Sequence, residues 1–422
     1  MLNSQLKTLS VYVFLIFFIS AWWTFAFQKK VTSDENSFSP RFFSQSKHHS
    51  LQIEPAITHI DRNLLQQALS GDTRLMARLI ADWDIDAQIL SSNGFQDVSR
   101  LNPSDFLRSQ SLIRLLQNQD YAKNATSILK QQNQHVVDDT GNYLNLKPIY
   151  KKFLPQTYVA ASFLLSLIPP EHIVALPRSL RDQTQLYPLS LTEQIPLDID
   201  RYNAEKLFQA GTDLAFVAHY SHPATIQALS NQGVLLYTMK NIQSLEDISH
   251  ELIATGHITG RPLQAELLKI FIDAAMCAMD NHQAALVGQL KKNHTQLPRI
   301  LVVNFHQTFS VPTIQTLAGQ IISRMPLLNA SLQLASDNNQ ANEWVIPLGK
   351  ERLLNMDPEI LVITTTNPDA AAKRICSDKS LRDLSAVRNQ RLIFVDEAVQ
   401  QSPSQYILLA YHDLIQALKF QP

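Results

Sequence analysis

The sequence predicts an α/β protein of two lobes, each a mostly parallel sheet flanked by helices, joined by one long helix with a cleft between them. An extra helical segment precedes the lobes. Three observations carry this prediction. After Pro155, short apolar runs alternate with amphipathic stretches, the pattern of strand–helix units around a buried parallel sheet. Those runs fall into two clusters. Between the clusters, Leu263 to Lys292 carries Leu267, Leu268, Phe271, Ala274, Ala275, Leu286 and Leu290 with no proline and only Gly288 as an internal weak point. At 1.5 Å per residue such a helix reaches about 45 Å, longer than one small lobe is wide.

Taken in order, residues 1–30 hold the targeting signal. Lys7 precedes the apolar run Val11 to Phe27, and Lys29 and Lys30 follow it. The run is as long as a short membrane span, with Trp22, Trp23 and Phe25 resembling an interfacial belt, while Thr24 and Ala26 offer a small-residue cleavage site. Signal peptide and membrane anchor both fit, and both imply export. No cysteine lies near by, which excludes a lipid anchor on cysteine. Residues 31–60 are polar and aliphatic-poor, a linker in which His48 and His49 read as solvated side chains. In 61–154, Leu64, Leu65, Ala68 and Leu69, then Leu75, Met76, Leu79, Ile80 and Trp83, give helical spacing on either side of a Ser70-Gly71-Asp72 break. A second helical patch covers Phe106 to Leu129, and the whole segment reads as a spacer or docking element.

Lobe 1 is expected over 155–262, with strands at 157–162, 172–177, 214–219 and 234–239. The connecting helix takes 263–295. Lobe 2 is expected over 296–422, with strands at 299–305, 360–366 and 391–396.

Composition narrows the function. With 36 basic and 37 acidic residues and no block of either sign, the chain lacks the basic footprint of nucleic-acid binding. Its two cysteines, Cys277 and Cys376, build neither a disulfide scaffold nor a four-thiolate zinc site. Nucleophile-elbow, phosphate-loop, dinucleotide, zinc-protease and C-x-x-C motifs are all missing, so no enzyme is expected and no cofactor is implied.

Open parallel sheets bind ligands beyond the carboxyl ends of their strands. His219, Tyr220 and His222 follow one lobe-1 strand; Phe305, His306, Thr308 and Phe309 follow the first strand of lobe 2. Ser162 and Phe163 close the first strand, and Tyr187 and Tyr237 complete the candidate ligand-binding set. Aromatic faces suit a flat or macrocyclic ligand, and equally suit core packing at strand ends. The three histidines fit metal or haem-iron ligation if their imidazoles converge; they also fit a polar loop, with His222 capping the helix that Pro223 begins. Glu205 in "NAEKLF" and Glu351 in "GKERLL" each open a helix, where negative charge complements the dipole and Asn203 serves as a cap.

From about residue 155 to the end, the chain resembles the periplasmic substrate-binding proteins of ABC importers that have a rigid helical backbone, the group serving cobalamin, ferric siderophores and haem. The landmarks are "EHIVALP" with Tyr187-Pro188, "IPLDIDRYNAEKLFQAGTDLAFVA", "NQGVLLYTM", "SLEDI", "GHITGR", "ERLLNMDPEILVITT", "LSAVRNQRLIFVD" and "SPSQYILLAYHDLIQAL". Thr212 stands where the family has the proline of a Pro-Asp pair, "LAGQIISR" replaces a glycine-rich turn, and residues 31–150 have no family counterpart. The resemblance implies a monomeric binding protein that delivers a cobalamin- or siderophore-like ligand to an importer. It implies that Glu205 and Glu351, one on each lobe, dock with arginines of the permease subunits. Many haem binders of the family carry a tyrosine seven residues before the lobe-1 glutamate; Asp198 stands there, which disfavours haem. An envelope adaptor that kept the fold without the ligand is the alternative the sequence leaves open.

Overall fold

The computed structural model describes residues 60–83, 135–146, 150–181, 183, 185–195, 197–199, 209, 211–292, 296–336 and 343–419. The apolar run 11–27, the linker with His48 and His49, the patch 106–129, Asn203 and Glu205 lie outside these residues. Among the described residues no helix is long and apolar enough to cross a membrane.

The chain enters with α1 (Arg62–Leu69) and α2 (Thr73–Asp82), then a hairpin of β1 (His135–Val137) and β2 (Tyr143–Asn145). Lobe 1 follows with β3 (Phe153–Pro155), α3 (Tyr158–Leu167), β4 (Leu176–Pro177), β5 (Asp198–Ile199), β6 (Leu214–Ala218), α4 (Pro223–Asn231), β7 (Leu235–Met239) and α5 (Leu245–Ile258). The spine α6 spans Pro262–Lys292. Lobe 2 comprises β8 (Ile300–Phe305), β9 (Phe309–Pro312), α7 (Leu317–Ser323), α8 (Asn329–Ser336), β10 (Val345–Leu348), α9 (Lys350–Met356), β11 (Ile360–Thr365), α10 (Pro368–Ser377), β12 (Leu392–Asp396), α11 (Glu397–Gln400) and the closing helix α12 (Ile407–Lys419).

In lobe 1 the parallel order is β3-β6-β7, with β4 and β5 pairing separately; in lobe 2 it is β10-β9-β8-β11-β12. There β8, β11 and β12 run parallel, while β9 and β10 fold back antiparallel. Pro347 sits on the edge strand β10, where a missing N–H costs no ladder bond.

Two sequence expectations need correction. Residues 157–162 are not a strand but the start of α3, because Thr157 caps the helix by accepting from the Ala160 N–H at 3.2 Å and the alanine- and leucine-rich run is buried almost all round. Short apolar runs of this kind do not distinguish buried strand from buried helix. The strand of this region is the shorter Phe-Leu-Pro of β3. The expected strand 172–177 shrinks to β4 and a lone bridge from Ile173 to Phe153, because Pro170–His172 turns as a 3-10 helix.

Strand alternation sorts the cores. Ile300 and Val302 of β8 join Phe216, Tyr237 and the buried face of α6 in one continuous core shared by both lobes. Leu301 and Val303 face a separate core on the outer side of lobe 2, and Ala215 and Val217 do the same in lobe 1. Gly256 of α5 lets α6 approach closely, since a β-carbon there would collide with that of Ala265. At mid-spine the buried Asp280 accepts from the Tyr411 hydroxyl of α12 and from Arg324 after α7, both at 2.5 Å. Gln283 donates to the same hydroxyl at 2.6 Å. Gln320 of α7 spans to lobe 1, donating to the Gln243 carbonyl at 2.9 Å and accepting from the Leu245 N–H at 3.2 Å. Replacing Asp280 by alanine removes the buried carboxylate that Arg324 and Tyr411 share, so Asp280→Ala is expected to cost about 3–5 kcal/mol in urea unfolding. Serine exchange at exposed Gln227, as a control, is expected to change little.

Candidate functional site

The carboxyl ends of the parallel strands form the rim of each lobe. In lobe 1 they surround a cavity of about 240 Å³. Thr157 and Tyr158 at the start of α3, His219 and Tyr220 beyond β6, and Lys240, Asn241 and Ile242 beyond β7 line it, with Pro403 arriving from the segment between α11 and α12. The His219 imidazole stands edge-on to the Tyr220 ring, with centroids 5.1 Å apart and planes at 85°. Tyr220 is 62% exposed. Burial, with the neighbouring Tyr220 adding to it, pushes the Tyr158 phenol well above the ordinary tyrosine value, so it remains neutral at physiological pH. Lys240 spends its charge on Asp247, 2.6 Å away, in the capping box that starts α5. The wall therefore combines aromatic rings, an amide and one ion-paired lysine.

The other candidates lie elsewhere. Ser162 and Phe163 are inside α3, fully buried, and Ser162 shares a 2.5 Å hydrogen bond with Tyr187, which is buried too and packs edge-on against Tyr406. Tyr237 is buried on β7, its hydroxyl donating to Glu251 at 3.3 Å and its ring edge-on to Phe216. Phe305 and Phe309 face each other across the β8–β9 register, with centroids 4.7 Å apart, inside the outer core of lobe 2. These six side chains pack the interior instead of facing the cleft, five of them pointing inward from a helix or strand and Tyr187 from the bend before Leu189.

His222 caps α4, its Nδ1 accepting from the Ala224 N–H at 3.2 Å. His306 and Thr308 are exposed on the β8–β9 turn, and His306 lies 3.2 Å from Glu397 at the end of β12. Each of His222 and His306 thus has its own partner. Among the described residues no group of three or more histidine, cysteine or acidic side chains is placed to hold a metal.

Sequence reasoning missed Thr157, Tyr158, the Lys240-Asn241-Ile242 turn and Pro403. The turn obeys the same strand-end rule that singled out His219. Tyr158 was hidden by reading its helix as a strand, and Pro403 reaches the cavity through tertiary packing alone.

On the lobe-2 rim, Glu351 sits exposed in the first turn of α9, directly after the β10 end that pairs with Phe309. The adjacent Lys350 is held by Asp378 at 2.5 Å, so it does not neutralise Glu351.

No protein-family model and no curated protein matches the chain. Among solved structures it is similar to a periplasmic binding protein from Veillonella parvula, at 17% identity and a TM-score of 0.49, over 66% of this chain and 88% of that one. A possible iron-binding (periplasmic solute-binding) protein from Staphylococcus epidermidis gives 18% and 0.49, over 65% and 100%. The periplasmic haem-binding protein RhuT from Roseiflexus gives 17% and 0.45, over 64% and 97%.

Hydrogen bonding from Lys350 foremost, then from Ser380, holds the Asp378 carboxyl down at about 2. A depressed carboxyl contributes stability that is present above its unfolded value of about 3.9 and is lost as pH falls through the folded one. In Lys350→Ala the Asp378 titration, followed by carboxyl NMR, is expected to move up toward the ordinary value and narrow that window.

Proposed function

We propose that the chain is a periplasmic binding protein that captures a small organic or metal-chelate ligand at the lobe-1 rim and delivers it to an ABC importer. The observation that carries this reading is the aromatic-cornered cavity at the strand ends, held on one continuous core with the opposite rim. Side chains there offer binding surface, and none forms a nucleophile–base pair, so capture without chemistry is the role they suit. At about 240 Å³ the cavity is smaller than the roughly 300–1,000 Å³ usual for ligand sites. A compact chelate, or one arm of a larger one, fits it better than a whole corrin ring.

Glu351, unneutralised on the lobe-2 rim, is a fit contact for a permease arginine, and Glu205 is its counterpart on lobe 1. Such charge-assisted pairs supply orientation and on-rate. An uncleaved 11–27 segment would keep the protein at the inner membrane.

A thermal-shift screen with ferrioxamine, cyanocobalamin and haemin tests the reading. A bound ligand at a hundredfold excess over its Kd adds about 2.7 kcal/mol, a clear rise in Tm. Tyr220→Ala is expected to reduce the shift, whereas Glu351→Lys is expected to preserve it and abolish uptake in cells. A panel without any shift, or uptake that survives Glu351→Lys, would count against the proposal.

A further inference from the structure

We infer that the N-terminal helical hairpin, residues 60–83, is a positioning element for the ligand cavity: it fixes the buried segment 402–406 that carries Pro403 into the cavity wall. This rests on the function proposed above. The hairpin is not the detached spacer its place in the sequence suggests. Its helices pack on the spine and the closing helix, and Trp83 stacks on Phe271 of α6 with centroids 5.4 Å apart.

Polar contacts converge on the cavity segment from behind. Ser70 Oγ, at the end of α1, shares a 2.8 Å hydrogen bond with the Tyr406 hydroxyl. Gln405 Nε2 donates to the Ser162 carbonyl of α3 at 2.9 Å and, more weakly, to the Leu69 carbonyl of α1 at 3.4 Å. Ser402, Ser404, Gln405 and Tyr406 are wholly buried, while Pro403 between them reaches the cavity. Ser402 and Ser404 share a 2.9 Å hydrogen bond and Gln405 Oε1 is buried without a partner among the described residues, so the segment keeps its conformation through the contacts of Tyr406 and the Gln405 amide nitrogen.

The hairpin itself is seated on both sides. Arg62 grips Asp413 of α12 with two nitrogens, at 2.8 and 3.2 Å, and the same guanidinium donates to the Gln185 carbonyl of lobe 1 at 3.3 Å. His412 Nε2 lies 3.0 Å from the Ile60 carbonyl. Gly71, with φ at +102°, lies against the Ser166 carbonyl of α3, so closely that a β-carbon would overlap it. One small element thus touches lobe 1, the spine and the closing helix, and the segment that completes the cavity lies where these meet.

Two variants of the full chain test this: Tyr406→Phe, which keeps the ring but removes the bond to Ser70, and Arg62→Ala, which loosens the hairpin without touching the segment. Amide exchange at Ser402, Ile407, Leu408 and Leu409 is expected to accelerate up to about tenfold in both, with the Val302 and Ile363 amides unchanged. Affinity for whichever of ferrioxamine, cyanocobalamin or haemin stabilises the wild type is expected to fall several-fold at a temperature where both variants are folded by circular dichroism, with Arg62→Lys recovering part of the loss. Unchanged exchange overturns the inference, and so does faster exchange with unchanged affinity, which would reduce the hairpin to a stability element. If the wild type binds no probe, the binding reading itself fails; exchange at the segment alone then decides whether the hairpin holds it.

Discussion

The structure depends on burying most of the surface of one long helix. Leu267, Leu268, Phe271, Ala274, Ala275, Cys277 and Met279 of the spine are all inaccessible, and they cover a face about 200° wide, while Lys269 and Asp273 on the remaining side stay partly exposed. An apolar face this broad is stable only inside a core. It therefore draws both sheets, the N-terminal hairpin and the closing helix onto itself, and the inner faces of the two lobes become one core. The lobes do not meet as independent domains across a hinge. The Asp280–Arg324–Tyr411 cluster adds direction to this packing, since a buried carboxylate with two donors tolerates one arrangement of the helices that supply them.

A shared core fills the space between the inner faces of the lobes and leaves the strand-end rims open. Packing inward consumes Ser162 and, with Phe163, Tyr187, Tyr237, Phe305 and Phe309, the larger part of the aromatic surface assigned to the cleft. What remains exposed is the short turn after each strand. The same frame that holds the rims in place limits the cavity to what those turns and Pro403 can enclose.

Much of this was legible in the sequence because its signals are local and periodic. The spine declared itself by the absence of a break from Leu263 to Lys292, the strands β6, β7, β8, β11 and β12 by apolar runs between turn residues, and the α1–α2 break by Ser70-Gly71-Asp72. The failures have equally physical causes. Apolar residues on all sides of α3 erase the period that separates helix from strand. β9 and β10 are four residues each and contain Pro312 and Pro347, which read as breakers although the edge strand β10 accepts Pro347 and Pro312 falls at the end of β9. Which face of a strand end turns inward depends on the partner sheet, so Phe305 and His306, adjacent in sequence, take opposite roles: one stacks on Phe309 and the other reaches Glu397.

The distribution of charge fits a binding frame better than a reactive one. Around the cavity, Lys240 is ion-paired with Asp247, and Thr157, Tyr158, Tyr220 and Asn241 supply dipoles and ring faces. On the lobe-2 rim the opposite holds: Lys350 is drawn off by Asp378, and Glu351 is left exposed. Desolvating a lone charge is costly, whereas an exposed one steers a partner at little expense. For the carrier proposed above, a pocket whose lysine is ion-paired and an exposed carboxylate on the outer rim would divide holding a ligand from being recognised between surfaces whose physical demands conflict.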